Sequence, residues 1–327
     1  MRRQPPAHSP LNAGTILDAA RAVGGWGPDP RAGFAGFLRD RYRAGAATLL
    51  GSGTQALQLG IDLASRHVGG RPTVALPAYT CFDVAAAAVG AGVSLTLYDV
   101  DPANLAPDLD SLRRAFDEGA RIVVIAPLYG VPVDWDAIGA CAAAAGAFLI
   151  EDAAQGHAAS WRGRPLGTLA ALSILSFGRG KGWTGGRGGA VLARGGVHSS
   201  GDPPAEGPGL WNETVTLAGA AAHCALGRPS LFGVASTIPG LHLGETIYRH
   251  PRGLHRMGRG AAALLAATHD AAANEGAVRR ARGAELALAL SEVRHVITIA
   301  IPHDGTAGYL RFPVRLPQGL GTIGDQS

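Results

Sequence analysis

The sequence predicts an α/β protein built on a mostly parallel sheet, and three observations carry that prediction. Between Ala46 and Ile150, short runs of leucine and β-branched residues alternate with longer alanine-rich helical stretches, which is the rhythm of βα units. At 327 residues, 47% of them hydrophobic, the chain can bury one large domain and a smaller second one. The 48 glycines and the low aromatic content of 6% suit helices packed closely against a sheet.

Taken in order, the strand candidates are Ala46–Leu50, Val74–Leu76, Ser94–Tyr98, Arg121–Ile125 and Phe148–Ile150. The helices between them are Thr54–Arg66, Cys81–Ala91, Leu109–Glu118 and Trp135–Ala145. A turn-rich stretch with Gly163, Pro165 and Gly167 follows, then two further strand-like runs, Ala171–Phe177 and Gly189–Ala193, that can close the sheet. The stretch Arg194 to Gly209 is dense in Gly, Pro and Ser and reads as an exposed linker. Beyond it come helical stretches, a long helix around Arg259–Leu290, and late strand candidates Val293–Ile301 and Tyr309–Val314. The division expected is 1–200 for a large domain and 201–327 for a small α+β one.

The formal charge is +4 and the pI about 9.2. The arginines are scattered without an aromatic-studded basic stripe, so nucleic-acid binding is not expected, and the basicity fits an anionic ligand equally well. Cys81, Cys141 and Cys224 stand far apart, which suggests neither a metal site nor a disulfide framework and fits a reducing cytoplasm. After Arg2 and Arg3 the chain runs into Pro5 and Pro6 rather than an apolar signal stretch. The most apolar later region, Val215 to Ile238, is interrupted by His223, Arg228, Pro229 and Ser230. It falls short of the ~20 apolar residues of a membrane span and reads as buried helices.

Three stations carry chemistry. Gly51-Ser52-Gly53-Thr54-Gln55-Ala56 lies between a strand and a helix, where free amides and the helix dipole favour an anion. It also fits a dinucleotide fingerprint, but Ala75, Leu76 and Pro77 stand where that fold needs an acidic residue. A plain helix-capping turn is the alternative. Asp152, in Glu151-Asp152-Ala153-Ala154-Gln155, follows an apolar strand; it either faces the ligand crevice of a parallel sheet or caps a helix. Lys181 sits among glycines in Ser176-Phe177-Gly178-Arg179-Gly180-Lys181-Gly182, where backbone can approach a bound molecule and desolvation can make an amine nucleophilic. A solvated loop lysine is the bland alternative. Leu175 and Gly182 exclude a Walker loop.

As an ordered set, GSGTQAL (51–57), LPAYTCFDVAAAAVGAGV (76–93), YDVDPANLAPD (98–108), LYGVPVDWDAI (128–138), IEDAAQGHAA (150–159) and LSFGRGKGWTGGRGGAVL (175–192) resembles the DegT/DnrJ/StrS sugar aminotransferases. The likeness runs from about Gly25 to Ala193. It implies the fold type I pyridoxal-phosphate (PLP) transferase architecture, with a mostly parallel seven-stranded sheet flanked by helices. It also implies the reaction: an amino group moved from an amino acid, glutamate being the expected donor, to a nucleotide-linked keto-sugar, with a homodimer as the expected assembly.

Carried over residue by residue, the resemblance makes Lys181 the cofactor-bearing lysine and proton shuttle. Asp152 faces the ring nitrogen and Gln155 the ring hydroxyl. Gly53, Thr54 and Ser176 hold the phosphate. His157 and Tyr79 stand near the substrate. Cys81 occupies the place of an aromatic residue that commonly stacks on the ring, a role Tyr79 or Phe82 could take over. Pro127 replaces a common histidine and Arg187 a common acidic residue. No Asn-Tyr-Arg segment reaching a neighbour's site is found, and related chains continue past TAGYLRFPVRLP, so a shortened C-terminus is expected. Dehydratases of the family carry histidine at the lysine position, so Lys181 favours transamination. A catalytically silent partner subunit is the remaining alternative.

Overall fold

The computed structural model describes residues 10–197, 206–226, 248 and 250–316. Its centre is a seven-stranded sheet. In chain order the strands are β1 (Ala46–Leu50), β2 (Thr73–Pro77), β3 (Ser94–Tyr98), β4 (Ala120–Ile125), β5 (Phe148–Asp152), β8 (Leu172–Ser176) and β9 (Gly189–Ala193). Across the sheet they stand in the order β1-β9-β8-β5-β4-β2-β3. Pairings from β3 through β2, β4 and β5 to β8 are parallel, whereas β9 runs against its neighbours β8 and β1. The expected mostly parallel sheet is therefore present, with strand boundaries within two residues of those read from the sequence.

The central strands are buried on both faces, which is why they read as continuous apolar runs rather than alternating ones. Val123 and Ile125 of β4 join one core cluster, while Ile122 and Val124 join the other. On the second face lies α3 (Gly53–Val68), through the fully buried Ile61 and Ala64, with α4 (Phe82–Gly90) beside it. The opposite face is covered by α5 (Leu109–Asp117) and α6 (Trp135–Ala144). Each fully buried Leu or Ile contributes about 1.5–3 kcal/mol by leaving water.

Two helices that the alternation does not reveal precede the sheet. The first, α1 (Ala13–Val23), starts at a capping box between Asn12 and Thr15. The second, α2 (Pro30–Tyr42), has Asp29 as cap and Pro30 in its first turn, an arrangement that removes one unsatisfied donor and pre-sets the backbone. Phe34 and Leu38 of α2 are buried in the main core.

The later part is partly as expected. Helix α7 (Leu210–Leu226) falls in the region read as buried helices, but Trp211 is 78% exposed and Val215 41%. One side of it, through Ala220 and Leu217, packs with Ala19 of α1 and with Leu264. Residues 227–238 of that region lie outside the described residues, as do 198–205 of the predicted linker. The long helix α8 (Arg259–Leu290) spans the range expected. Its N-terminus is capped by the Glu213 carboxylate, which accepts from the Arg259 and Gly260 amides at 2.6 and 3.2 Å.

The late strands are far shorter than predicted: β10 is Ile297–Thr298 and β12 is Val314–Arg315. The reason lies in the backbone donors. Pro302 and Pro313 have none, the Ala300 amide donates to Ala103, and the Arg311 amide donates to Tyr129. A three-stranded sheet adds β11 (Gly305–Thr306) to the hairpin of β6 (Ser160–Trp161) and β7 (Arg164–Pro165), a hairpin that the sequence presents only as turns.

Candidate active site

The residues singled out in the sequence gather at the carboxyl ends of β1, β5 and β8, the edge where α/β sheets bind ligands. Asp152 is the last residue of β5 and is buried. Its Oδ1 accepts from the Ala154 amide at 3.0 Å. Burial pushes its carboxyl above the ordinary range, opposed by that amide and by the nearby charge of Lys181. Lys181 lines a small cavity with Ala153, His157, Ser176 and Phe177. The sheet thus brings Asp152 and Lys181, 29 positions apart in sequence, into one electrostatic neighbourhood.

The lysine turn is held at both ends. The Phe177 amide donates to Gly188, the Lys181 amide to Gly178, and the Gly185 amide back to Phe177. Phe177 and Trp183 flank Lys181, meet each other edge-on with centroids 5.1 Å apart, and both meet Phe34 of α2. The Trp183 Nε1 donates to the Leu265 carbonyl at 3.2 Å, tying the turn to α8.

At the start of α3, Ser52 is the N-cap and accepts from the Gln55 amide. Gly53 faces Ser176 so closely that a Cβ on it would stand 2.5 Å from both the Cβ and Oγ of Ser176. This leaves a cradle of helix N-terminus and hydroxyl, with Thr54 next in line, that a single methyl group would fill. A phosphate fits such a place, since its oxygens need exposed amides and hydroxyl donors. Together with a buried carboxylate and a nearby lysine, the residues present fit PLP.

Gln155 uses its Oε1 to accept from the Tyr129 amide at 2.9 Å. His157 accepts at Nδ1 from Arg279 Nη2, 3.2 Å away. Burial first, then the Arg279 charge, hold His157 down to about 4, so it is a neutral imidazole near pH 7. Arg279, on α8, carries no signal of this role in the sequence; only its place on the long helix, roughly four turns past the buried Leu265, is readable there.

Around Cys81 the arrangement is specific. Cys81 is the N-cap residue of α4, and its thiol points to Asp83 Oδ2 at 3.6 Å. Burial raises its pKa, with the Lys181 charge acting the other way. The two aromatic residues that could replace a stacking ring have other partners. Tyr79 shares a hydrogen bond of 3.0 Å with the Tyr129 hydroxyl, and Phe82 meets Tyr248 edge-on at 5.9 Å.

Behind Asp152 lies a buried network for which the sequence offers no role. Glu151 is fully buried and accepts from the Gly167 amide, the Leu169 amide and Ser173 Oγ at 2.6, 2.9 and 2.7 Å. Arg194 donates to the same Ser173 hydroxyl at 2.9 Å and to the Ala170 and Tyr42 carbonyls. Burial raises the Glu151 carboxyl against those hydrogen bonds. Among the described residues no cluster of His, Cys, Asp and Glu could hold a metal ion, and no helix is long and apolar enough to cross a membrane.

A mostly parallel sheet with a buried aspartate, a glycine-flanked lysine and a helix-terminal anion cradle at its carboxyl edge defines a fold type I transferase. The chain belongs to the DegT/DnrJ/EryC1/StrS aminotransferase family, whose model matches residues 29–197; PLP is the cofactor of that family. It is similar to the 3-amino-5-hydroxybenzoate synthase of Amycolatopsis mediterranei (strain S699), 32% identical over 151 residues, which make up 46% of this chain and 38% of that protein. It is 34% identical over 143 residues to the L-glutamine:2-deoxy-scyllo-inosose aminotransferase of Streptomyces lividus, covering 44% of this chain and 33% of that one. These matches span less than two-fifths of the relatives' length. In three dimensions, the crystal structure of 3-amino-5-hydroxybenzoic acid synthase matches 97% of this chain and 77% of that chain with a TM-score of 0.72 at 23% identity, a likeness of fold.

Proposed function

We propose that the chain is a PLP-dependent aminotransferase acting on a cyclic, sugar-like ketone. The observation that carries this is the convergence of Lys181, Asp152 and the Gly53–Ser176 cradle at one sheet edge. When bound, the cofactor supplies an electron sink for the substrate carbon. Asp152 would set its carboxylate against the ring nitrogen, whose positive charge would favour the ionised form that burial alone opposes. Lys181 anchors the cofactor and then moves a proton to and from the substrate carbon as base and acid. Ser176, Thr54 and the Gly53 amide bind the phosphate, Gln155 orients the ring hydroxyl, and Cys81 walls the ring. His157 and Tyr79 border the substrate space.

The finer version proposed is glutamate as donor and a nucleotide-linked keto-sugar as acceptor, in a cytoplasmic homodimer. Trp26 and Trp211, each at least 75% exposed, support a surface that a second copy covers. The names of the relatives add glutamine as a donor to test and a cyclitol ketone as an acceptor. The division of the chain into 1–200 and 201–327 is proposed with it.

Borohydride reduction of the B6-supplemented protein, followed by peptide mass mapping, tests the assignment: a pyridoxyl adduct is expected on Lys181. Lys181→Ala should abolish turnover with donor and ketone. An adduct elsewhere, or full activity in that variant, would overturn the proposal.

A further inference from the structure

Two elements converge on His157, which lies in the turn between β5 and β6 and lines the small cavity together with Lys181. The lysine turn meets it at Gly182, where a Cβ would stand 2.9 Å from His157 Nδ1 and 2.7 Å from Arg279 Nη2. The long helix α8 meets it at Gly276, where a Cβ would stand 2.5 Å from that of Ala158, so the absent side chain lets helix and turn come together. Arg279, about one turn further on, then reaches His157 Nδ1 at 3.2 Å, and Arg280 donates to the Ala158 carbonyl at 3.2 Å. Ala158 holds φ at +67° without being glycine, a conformation that persists only where its surroundings fix it.

That geometry fixes which imidazole nitrogen carries the proton. A guanidinium donates and cannot accept, so Nδ1 takes the hydrogen bond on its lone pair, and in a neutral ring the proton is then on Nε2. The ring is neutral near pH 7 because burial, and then the Arg279 charge, hold it down to about 4. Arg41 of α2 and Arg280 of α8 act in the same direction. Lys181 lines the same cavity, and Glu275, one turn before Arg279, acts on that arginine. Nε2 has no hydrogen-bond partner among the described residues, and it is not sealed from solvent. The cavity that holds Lys181 is thus bordered by an N–H donor with a constant charge over the neutral range.

We infer that Arg279 is a positioning residue which, by occupying Nδ1, sets His157 as a fixed N–H donor from Nε2 to an oxygen of the ketone substrate. The assignment takes His157 out of acid–base work and leaves proton transfer to Lys181, since an imidazole that gains its proton only near pH 4 has none to give up at neutral pH. It also selects the ligand chemistry. A neutral donor suits a hydroxyl or carbonyl oxygen, whereas an ammonium at that place would face a donor and positive charge. The inference rests on the proposed aminotransferase function, but the state of His157 is readable without turnover.

Nitrogen-15 correlation spectra of the B6-supplemented full chain, with His157 assigned by its loss in His157→Gln, test this. The parent is expected to show Nδ1 as a bare acceptor and the proton on Nε2 from about pH 8 to about pH 5. Arg279→Met should mix the two tautomers and raise the His157 pKa from about 4. Arg279→Lys, which keeps a charged donor, should restore the single tautomer in part, and Arg280→Met should leave it unchanged. With L-glutamine and 2-deoxy-scyllo-inosose as the probe pair, the KM for the ketone should rise roughly tenfold in Arg279→Met with kcat nearly constant, the pattern of a lost binding contact. The inference is overturned if the parent carries the proton on Nδ1, if Arg279→Met leaves tautomer and pKa as they were, or if its loss falls on kcat alone. A parent with the fixed tautomer that does not turn over this ketone overturns the substrate role given to His157, while the Arg279 pairing stands. A colourless parent defeats the aminotransferase proposal, and the spectra still decide the tautomer. Cofactor absorbance and an unfolding midpoint near the parent's show that each variant is folded.

Discussion

The indole of Trp183 meets the ring of Phe34 edge-on, with centroids 5.5 Å apart. Trp183 lies two residues beyond Lys181 and Phe34 lies in α2, so a helix far from the site in sequence fixes the turn that carries the lysine. Phe34→Ala removes that support together with the Phe177 contact. It should destabilise the fold by about 3–5 kcal/mol, as large-to-small core changes do, and broaden or weaken the cofactor absorbance under conditions where the protein remains folded. Denaturant unfolding and an absorbance spectrum at low denaturant check the two effects. An undisturbed spectrum in a destabilised protein would detach α2 from the site.

The Gly53–Ser176 approach makes a second prediction. In Gly53→Ala the new methyl meets Ser176 Cβ and Oγ at 2.5 Å, so the cradle closes or the two elements move apart. Affinity for PLP should fall at least tenfold, about 1.4 kcal/mol, measured by fluorescence titration. Ser176→Ala, which removes a donor but adds no atoms, should cost less. The reverse ranking would place the phosphate elsewhere.

His157 predicts a dependence on pH. In the folded protein it titrates at about 4 rather than 6.5, mainly because of burial. The unfolded chain therefore takes up this proton first as pH falls. The stability tied to neutral His157 is fully present above about pH 6.5 and is lost progressively toward pH 4, up to roughly 3 kcal/mol in all. The stability difference between the parent and His157→Gln should accordingly change between about pH 7 and pH 5, with the parent losing more. Equal losses in urea unfolding at the two pH values would show that His157 is not held neutral.

Glu151 gives a fourth. Glu151→Gln keeps an acceptor but can no longer take three hydrogen bonds on two equivalent oxygens, and it leaves Arg194 without a nearby carboxylate. A loss of about 1–3 kcal/mol is expected, with unchanged PLP affinity because Glu151 does not face the site. Thermal unfolding with and without cofactor separates the two.

A fifth concerns α8, where Gly283 lies directly beneath the Tyr309 ring, closer than a Cβ would allow. Gly283→Ala should raise intrinsic helix propensity yet destabilise the protein by about 1–3 kcal/mol, because the ring must move. Ala281→Gly, at an exposed position of the same helix, costs propensity alone and serves as the control in the same unfolding measurements. A stabilised Gly283→Ala would show that Tyr309 is not packed there.

Much of the sheet was legible because each strand is an apolar run between turn residues, and β1, β3 and β9 keep the limits read from the sequence. The site motifs were legible for a related reason: Gly53, Asp152 and Lys181 sit at or just past strand ends, where turn glycines and polar residues break the apolar pattern. Helix α2 was not read, although Asp29-Pro30 is a start signal, because its apolar face is too weakly periodic to stand out. The late strands failed for the opposite reason, since apolar residues around Pro302 and Pro313 suggested pairing that prolines cannot sustain.

What the sequence determined alone was the order along the chain of the seven central-sheet strands and the chemistry available at their ends, both properties of neighbouring residues. Only the tertiary structure decided which distant groups meet: Phe34 with Trp183, Arg279 with His157, Glu151 with the Gly167 loop, Arg311 with Tyr129 and Gly180. Those meetings depend on how sheet twist and helix packing close the chain on itself, a geometry that local periodicity does not encode.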